Sequence, residues 1–140
     1  MSIEIENLDK VLEELTKKMS PEMAKAAMEK ACALVEASAK ENAPKGTGEL
    51  RRSITSEVQD IGGEVQGVVF TPLEYAPYVE YGTGLFAEGG GRTDVPWSYR
   101  DDEGEWHSTS GQRPQPFMRP ALDANREQIV RIFKEALKKK

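Results

Sequence analysis

Gly82, Gly84 and Ala87 complete a G-x-G-x-x-A pattern behind the aromatic run 78-YVEY-81. That spacing belongs to loops that cradle a dinucleotide pyrophosphate. The chemistry needs a strand before the glycines, a helix opening at them, and an acidic residue about 20 positions on. Tyr78 to Tyr81 could supply the strand, and Asp101 or Asp102 stands at a workable distance. The helix is missing. Glu88-Gly89-Gly90-Gly91 follows instead, and each glycine costs a helix about 1 kcal/mol. No second βαβ unit fits the remaining chain, and no G-K-[ST] marks a P-loop.

Other chemistries fare no better. His107 is the only histidine. It sits between Trp106 and Ser108, where packing is the expected role rather than proton transfer. One Cys and one His are too few for a zinc site. Asp101, Asp102, Glu103 and Glu105 cluster like a calcium loop but lack its alternating oxygen ligands and fixed glycine, so they read as a solvated turn. Cys32 lies on an alanine-rich apolar face and reads as a small core residue. Glu80 could be a buried acid, but it has no evident carboxylate partner. The expectation is therefore no enzyme, no cofactor, no metal and no small-molecule substrate.

The elements that would position these residues fit one domain over 1–140. A chain of this length buries roughly two-thirds of its unfolded surface. Apolar residues make up 38% and charged residues 31%, so the core is modest. The net charge of −5 opposes nonspecific binding to nucleic acid, which rests on cations neutralising phosphates. Residues 119–140 nevertheless carry seven Lys/Arg against three Asp/Glu. That tail reads as a solvated helix end, with Lys138, Lys139 and Lys140 at the negative end of the dipole, or as a contact for an acidic partner. The single cysteine excludes an internal disulfide. No apolar run approaches the ~20 residues of a membrane span, and the acidic N-terminus lacks signal-peptide layout. The expected setting is the cytosol, or wherever a cytosolic product is assembled.

Periodicity predicts three helices, over about 7–19, 21–42 and 120–138. Ile3 and Ile5 give an extended lead-in, and Asn7 can cap the first helix. Leu8, Val11, Leu12, Leu15 and Met19 share one face of it. Ser20-Pro21 is a cap followed by a first-turn proline. Ala24, Met28, Ala31, Cys32 and Val35 then line a small-residue side suited to lying flush on a sheet. Sheet residues are expected over about 54–81, with Gly62-Gly63 as a hairpin turn. Tyr75 to Tyr81 reads as a strand or a single helical turn. Residues 82–115 form a glycine-rich loop, unusually long for a compact domain. Within it, 95-VPWSYRDDEGEWHST-109 could form a small hairpin, with Trp97 and Tyr99 on one arm, Trp106 on the other, and Asp101 to Gly104 as the turn. The fold class is α+β: a small antiparallel sheet with helices on one face and a loop or hairpin insertion before the C-terminal helix.

Three blocks then resemble one family. These are 43-APKGTGELRRSI-54, 75-YAPYVEYGTG-84 and 114-PQPFMRPAL-122. In order and register they are similar to patterns in small tail-component proteins of long-tailed bacteriophages, which act in head–tail joining and tail completion. The resemblance implies a structural virion protein, assembled in the bacterial host cytoplasm and working through ring-type contacts. The implied partners are other copies of itself and tail or head-connector proteins. Nucleic acid enters only as DNA near the assembled channel. The motif or contact candidates are Pro44, Thr47, Gly48, Leu50, Tyr75, Tyr78, Glu80, Tyr81, Gly82, Thr83, Trp97, Trp106, Pro116, Phe117 and Pro120. The tyrosines suit either an interface or the subunit core. The rival reading is a small nucleic-acid-binding or adaptor module using the basic C-terminal helix.

Overall fold

A helix of 22 residues, Pro21–Asn42, organises the first of two compact units, Met1–Leu73 with Phe117–Lys140. The structure is a computed structural model and describes residues 1–5, 10–62, 64–89 and 95–138. Asn7 with its expected cap, Leu8, Gly63, Gly90, Gly91, Lys139, Lys140 and the side chain of Val11 lie outside the described residues.

Chain order in this unit is β1 (Ser2–Ile5), α1 (Lys10–Lys17), α2 (Pro21–Asn42), α3 (Glu49–Ser53), β2 (Thr55–Ile61) and β3 (Glu64–Phe70). The Ser20 hydroxyl accepts the Met23 N–H at 3.2 Å and Pro21 opens α2, as the sequence predicts. The helix ends where Ala43 turns extended before Pro44. Arg51 Nε donates to the Lys40 carbonyl at 3.0 Å, satisfying one of the last helical carbonyls. Ala24, Met28, Ala31, Cys32 and Val35 are all buried.

The sheet is antiparallel, in the order β1-β3-β2, and packs against α2. Register places Ile5 and Val58 opposite Gly67 from either side. Gly67 is what lets helix and sheet approach. A β-carbon there would stand 2.5 Å from Cys32 Sγ and 2.8 Å from Met28 Sδ. Ile5, Leu12, Ile54, Phe117, Ile129 and Phe133 are at most 1% exposed. Burying each such side chain contributes about 1.5–3 kcal/mol, so these residues are a large part of the core.

Several expectations need correcting. Ser2–Ile5 is a paired edge strand rather than a lead-in. The sheet stops at Phe70, not near 81, because Pro72 cannot donate to a ladder. Between the Thr47-Gly48 turn and the sheet comes an unexpected helical turn, α3. The last helix is two helices, α5 (Met118–Asp123) and α6 (Arg126–Lys138). Asn125 divides them: its side-chain amide donates back to the Ala121 carbonyl, while its own carbonyl accepts the Ile129 N–H.

The second unit, Glu74–Pro116, holds α4 (Ala76–Tyr81), a 3-10 turn at Gly84–Phe86, and the hairpin β4 (Trp97–Arg100) and β5 (Trp106–Thr109). Tyr75–Tyr81 is thus helical; Pro77 in its first turn suits a helix start. The hairpin is where the sequence puts it, with Trp97 opposite Thr109 and Arg100 opposite Trp106. The surrounding segment is not structureless. Thr83 and Leu85 donate to the Gln112 and Ser110 carbonyls, both at 2.9 Å, and Glu88 donates to Tyr81. The two legs meet because Gly84 (φ +59°) and Gly111 (φ +116°) take left-handed backbone with no room for a side chain. A β-carbon would lie 2.6 Å from the Trp97 ring at Gly84 and 2.1 Å from the Thr83 carbonyl oxygen at Gly111.

Candidate assembly surfaces

The three sequence blocks divide into fold-forming and surface-forming parts. In the first, the Thr47 hydroxyl accepts the Glu49 N–H at 3.3 Å, and Arg52 Nη1 donates to the Thr47 carbonyl at 3.2 Å. Gly48 caps α3, Pro44 is half-buried and Leu50 is buried. Ser53 Oγ lies 2.7 Å from Thr71 Oγ1, and Thr71 Oγ1 accepts the Leu73 N–H. This block is a structural junction between α2 and the sheet. The third block also serves the fold: α5 packs on α2 and β1, and the Asn42 side-chain amide at the end of α2 donates to the Phe117 carbonyl at 3.4 Å. Phe117 and Met118 are buried, Pro120 is half-buried and Pro116 is exposed. Phe117 is a core residue and offers no surface.

The middle block is different. Tyr75, Tyr78 and Tyr81 follow one another at i, i+3 and i+6, so they share one side of α4. They are 39%, 61% and 40% exposed. Glu80, one position before Tyr81, is fully buried, and Gly82, one position after it, is buried. Thr83 is half-buried, and its Oγ1 accepts the Gln112 N–H at 2.9 Å and fastens the legs of the second unit.

The hairpin adds a second aromatic group. Trp97 is half-buried, and Trp106 is 68% exposed with the Arg100 guanidinium 6.0 Å from its ring centre. Tyr99 stacks on His107 at 5.3 Å. His107 thus packs, as expected, and also forms a polar contact. Its Nε2 lies 2.6 Å from Asp101 Oδ2 across the turn. Asp101 Oδ1 also accepts the N–H groups of Glu103 and Glu105. The hydrogen bond from His107, with these backbone donors, holds the Asp101 carboxyl below its ordinary range. Asp101, Glu105 and His107 bring three ligand atoms within 4.8 Å of one another. Asp101 is already engaged on both oxygens by the turn itself, so the cluster reads as the device that closes the hairpin. Leu85, 55% exposed, is a further exposed apolar side chain of this unit. A lone leucine in a glycine-rich stretch has no period to mark it.

A groove of about 240 Å³ in the first unit is floored by Leu12, Met28, Val65 and Phe133 and rimmed by Glu13, Lys17 and Glu64. Its rim mixes both signs and brings no set of matched polar groups onto one point. No described helix is long and apolar enough to cross a membrane.

Residues 6–82, more than half of the chain, match the family model HK97-gp10-like, described as bacteriophage HK97-gp10, a tail-component. The matched span contains the first block and most of the second. The third block lies beyond it. No curated protein and no solved structure matches the chain.

Proposed function

Because this chain belongs to the HK97-gp10-like family of bacteriophage tail components, structural proteins rather than enzymes, we propose that it acts where the tail meets the head, as one subunit of a ring. A tail component contacts other tail proteins. The finer reading adds copies of itself and head-connector proteins as neighbours, with DNA nearby only inside the assembled channel. The virion is then its working place and the host cytoplasm its place of assembly.

One observation carries this reading: large aromatic side chains stand in solvent on the second unit. Tyr78 and Trp106 are each more than half exposed. Such residues combine apolar area with a polar tip and dominate the energetics of protein interfaces. Tyr75, Tyr78, Tyr81, Trp97 and Trp106 are accordingly the contact residues. Pro44, Thr47, Gly48, Leu50, Phe117 and Pro120 hold the fold that presents them. The whole chain acts as one assembling piece.

The test is a Tyr78→Ser, Trp106→Ser double variant in the phage that encodes the protein. Its circular dichroism and melting temperature should match the wild type, because both positions are exposed. Infectious particles should fall by at least about tenfold, since two lost anchors commonly remove more than ~2 kcal/mol. Unchanged particle yield would remove these residues from the interface.

A further inference from the structure

The sheet of the first unit has two unlike faces. Gly67 and Val69 turn toward α2. The opposite face carries Glu4, Val68 and Glu57 in one row across the three strands, and Ser2, Phe70 and Thr55 in the next. Glu4, Glu57, Ser2 and Thr55 are exposed, whereas Val68 and Phe70 are half-buried. Glu64, also exposed, stands at the end of β3. Asp60 pairs with Val65 on the α2 side, so this face holds three of the sheet's carboxylates, Glu4, Glu57 and Glu64, and the three strands contain no Lys or Arg. This is an apolar centre with an acidic border.

The same unit carries the complementary surface elsewhere. On α6, Arg131, Lys134 and Lys138 recur at i, i+3 and i+7, opposite the buried Ile129 and Phe133. All three are exposed, and none has an ion-pair partner among the described residues. Glu127 and Glu135 lie beside them, but the helix keeps four cations against two carboxylates. α6 packs on α1 and α2, which leaves this stripe outward.

Resting on the ring reading above, we propose that the acidic sheet face of one copy receives the α6 stripe of the next. The two patches are different surfaces of one chain, so the contact is head-to-tail. Contacts of that kind propagate into a closed ring when the rotation closes. Opposite charges at the rim would steer docking and set register, with Val68 and Phe70 covered at the centre.

Charge reversal tests this in the full-length protein by sedimentation velocity at low salt. Glu4→Lys with Glu57→Lys should weaken self-association by at least about tenfold, and so should Arg131→Glu, Lys134→Glu and Lys138→Glu together. Mixing the two variants should restore association, because each supplies the charge the other lacks. Added salt should weaken the wild-type assembly. Rescue by mixing is the outcome that a misfolded variant cannot produce. If the wild type associates and both variants associate equally well, the sheet–α6 contact is overturned while the ring reading stands. A wild type that stays monomeric at every concentration overturns the self-contact, and the Tyr78 and Trp106 experiment then decides the tail reading separately. Retention of duplex DNA by the α6 stripe without any self-association also overturns the proposal.

Discussion

At position 67 a single hydrogen atom is all the space the packing leaves. Cys32 Sγ and Met28 Sδ occupy the volume a side chain would need. Gly67→Val should therefore destabilise the protein by about 1–3 kcal/mol, the usual cost of overpacking, read as a lower urea midpoint with unchanged slope. Cys32 itself is shielded. Burial pushes its thiol up to about 11, with Glu36 and Glu29 adding to the effect. The folded protein keeps the neutral thiol, and its contribution to stability is present below the ordinary thiol range and lost as pH rises through about 11. At pH 8 the native protein should resist a thiol reagent that labels it at once in denaturant. Asp101 titrates the other way. Its carboxyl is lowered by His107 first, so the hairpin clasp is fully present above the ordinary carboxylate value of about 3.9. It is lost as pH falls through the lower folded value. Trp106 fluorescence should report that transition in acid, and Asp101→Asn should abolish it. Of these three residues, only the core position of Cys32 was legible in sequence. The Asp101–His107 clasp needs a turn of known geometry to bring residues six apart within 2.6 Å.

Elements with strong local signals were the legible ones. Ser20-Pro21 marked the start of α2, and the Ser20 hydroxyl does cap it. Ser20→Ala should cost about 1 kcal/mol, seen as a drop in melting temperature, with no effect on the hairpin. The β4–β5 hairpin was legible too, because aromatic arms flank a run of turn-forming acids and Gly104. Elements set by distant partners were not. β1 is four residues long and becomes a strand only by pairing with β3 across more than sixty positions. The helical form of Tyr75–Tyr81 is not legible, since seven residues are too few to separate a period of 2 from one of 3.6. The split between α5 and α6 depends on one amide, Asn125, turning back on Ala121. Asn is an ordinary residue in a helical pattern, so nothing marked it.

For the molecule as a whole, the division into two units makes a direct prediction. The buried set Ile5, Leu12, Ile54, Phe117, Ile129 and Phe133 belongs wholly to the first unit. Deleting residues 88–112 removes the hairpin and leaves that set intact. The shortened protein should keep a cooperative melt and its helical circular dichroism, yet fail to complete tails. Normal tail assembly by the deletion variant would remove the hairpin from the function. Sequence alone determined the α+β class, the long alanine-faced helix, the hairpin and the tail-component kinship. Each of these rests on local periodicity, turn chemistry or short motifs that neighbouring residues carry by themselves. Only the tertiary structure decided which aromatics face solvent, that Phe117 is core while Tyr78 is surface, and that Glu4 and Glu57 come together on one face of the sheet. Those outcomes depend on which distant segments cover a residue, and burial is a property of the packed chain that no local pattern contains.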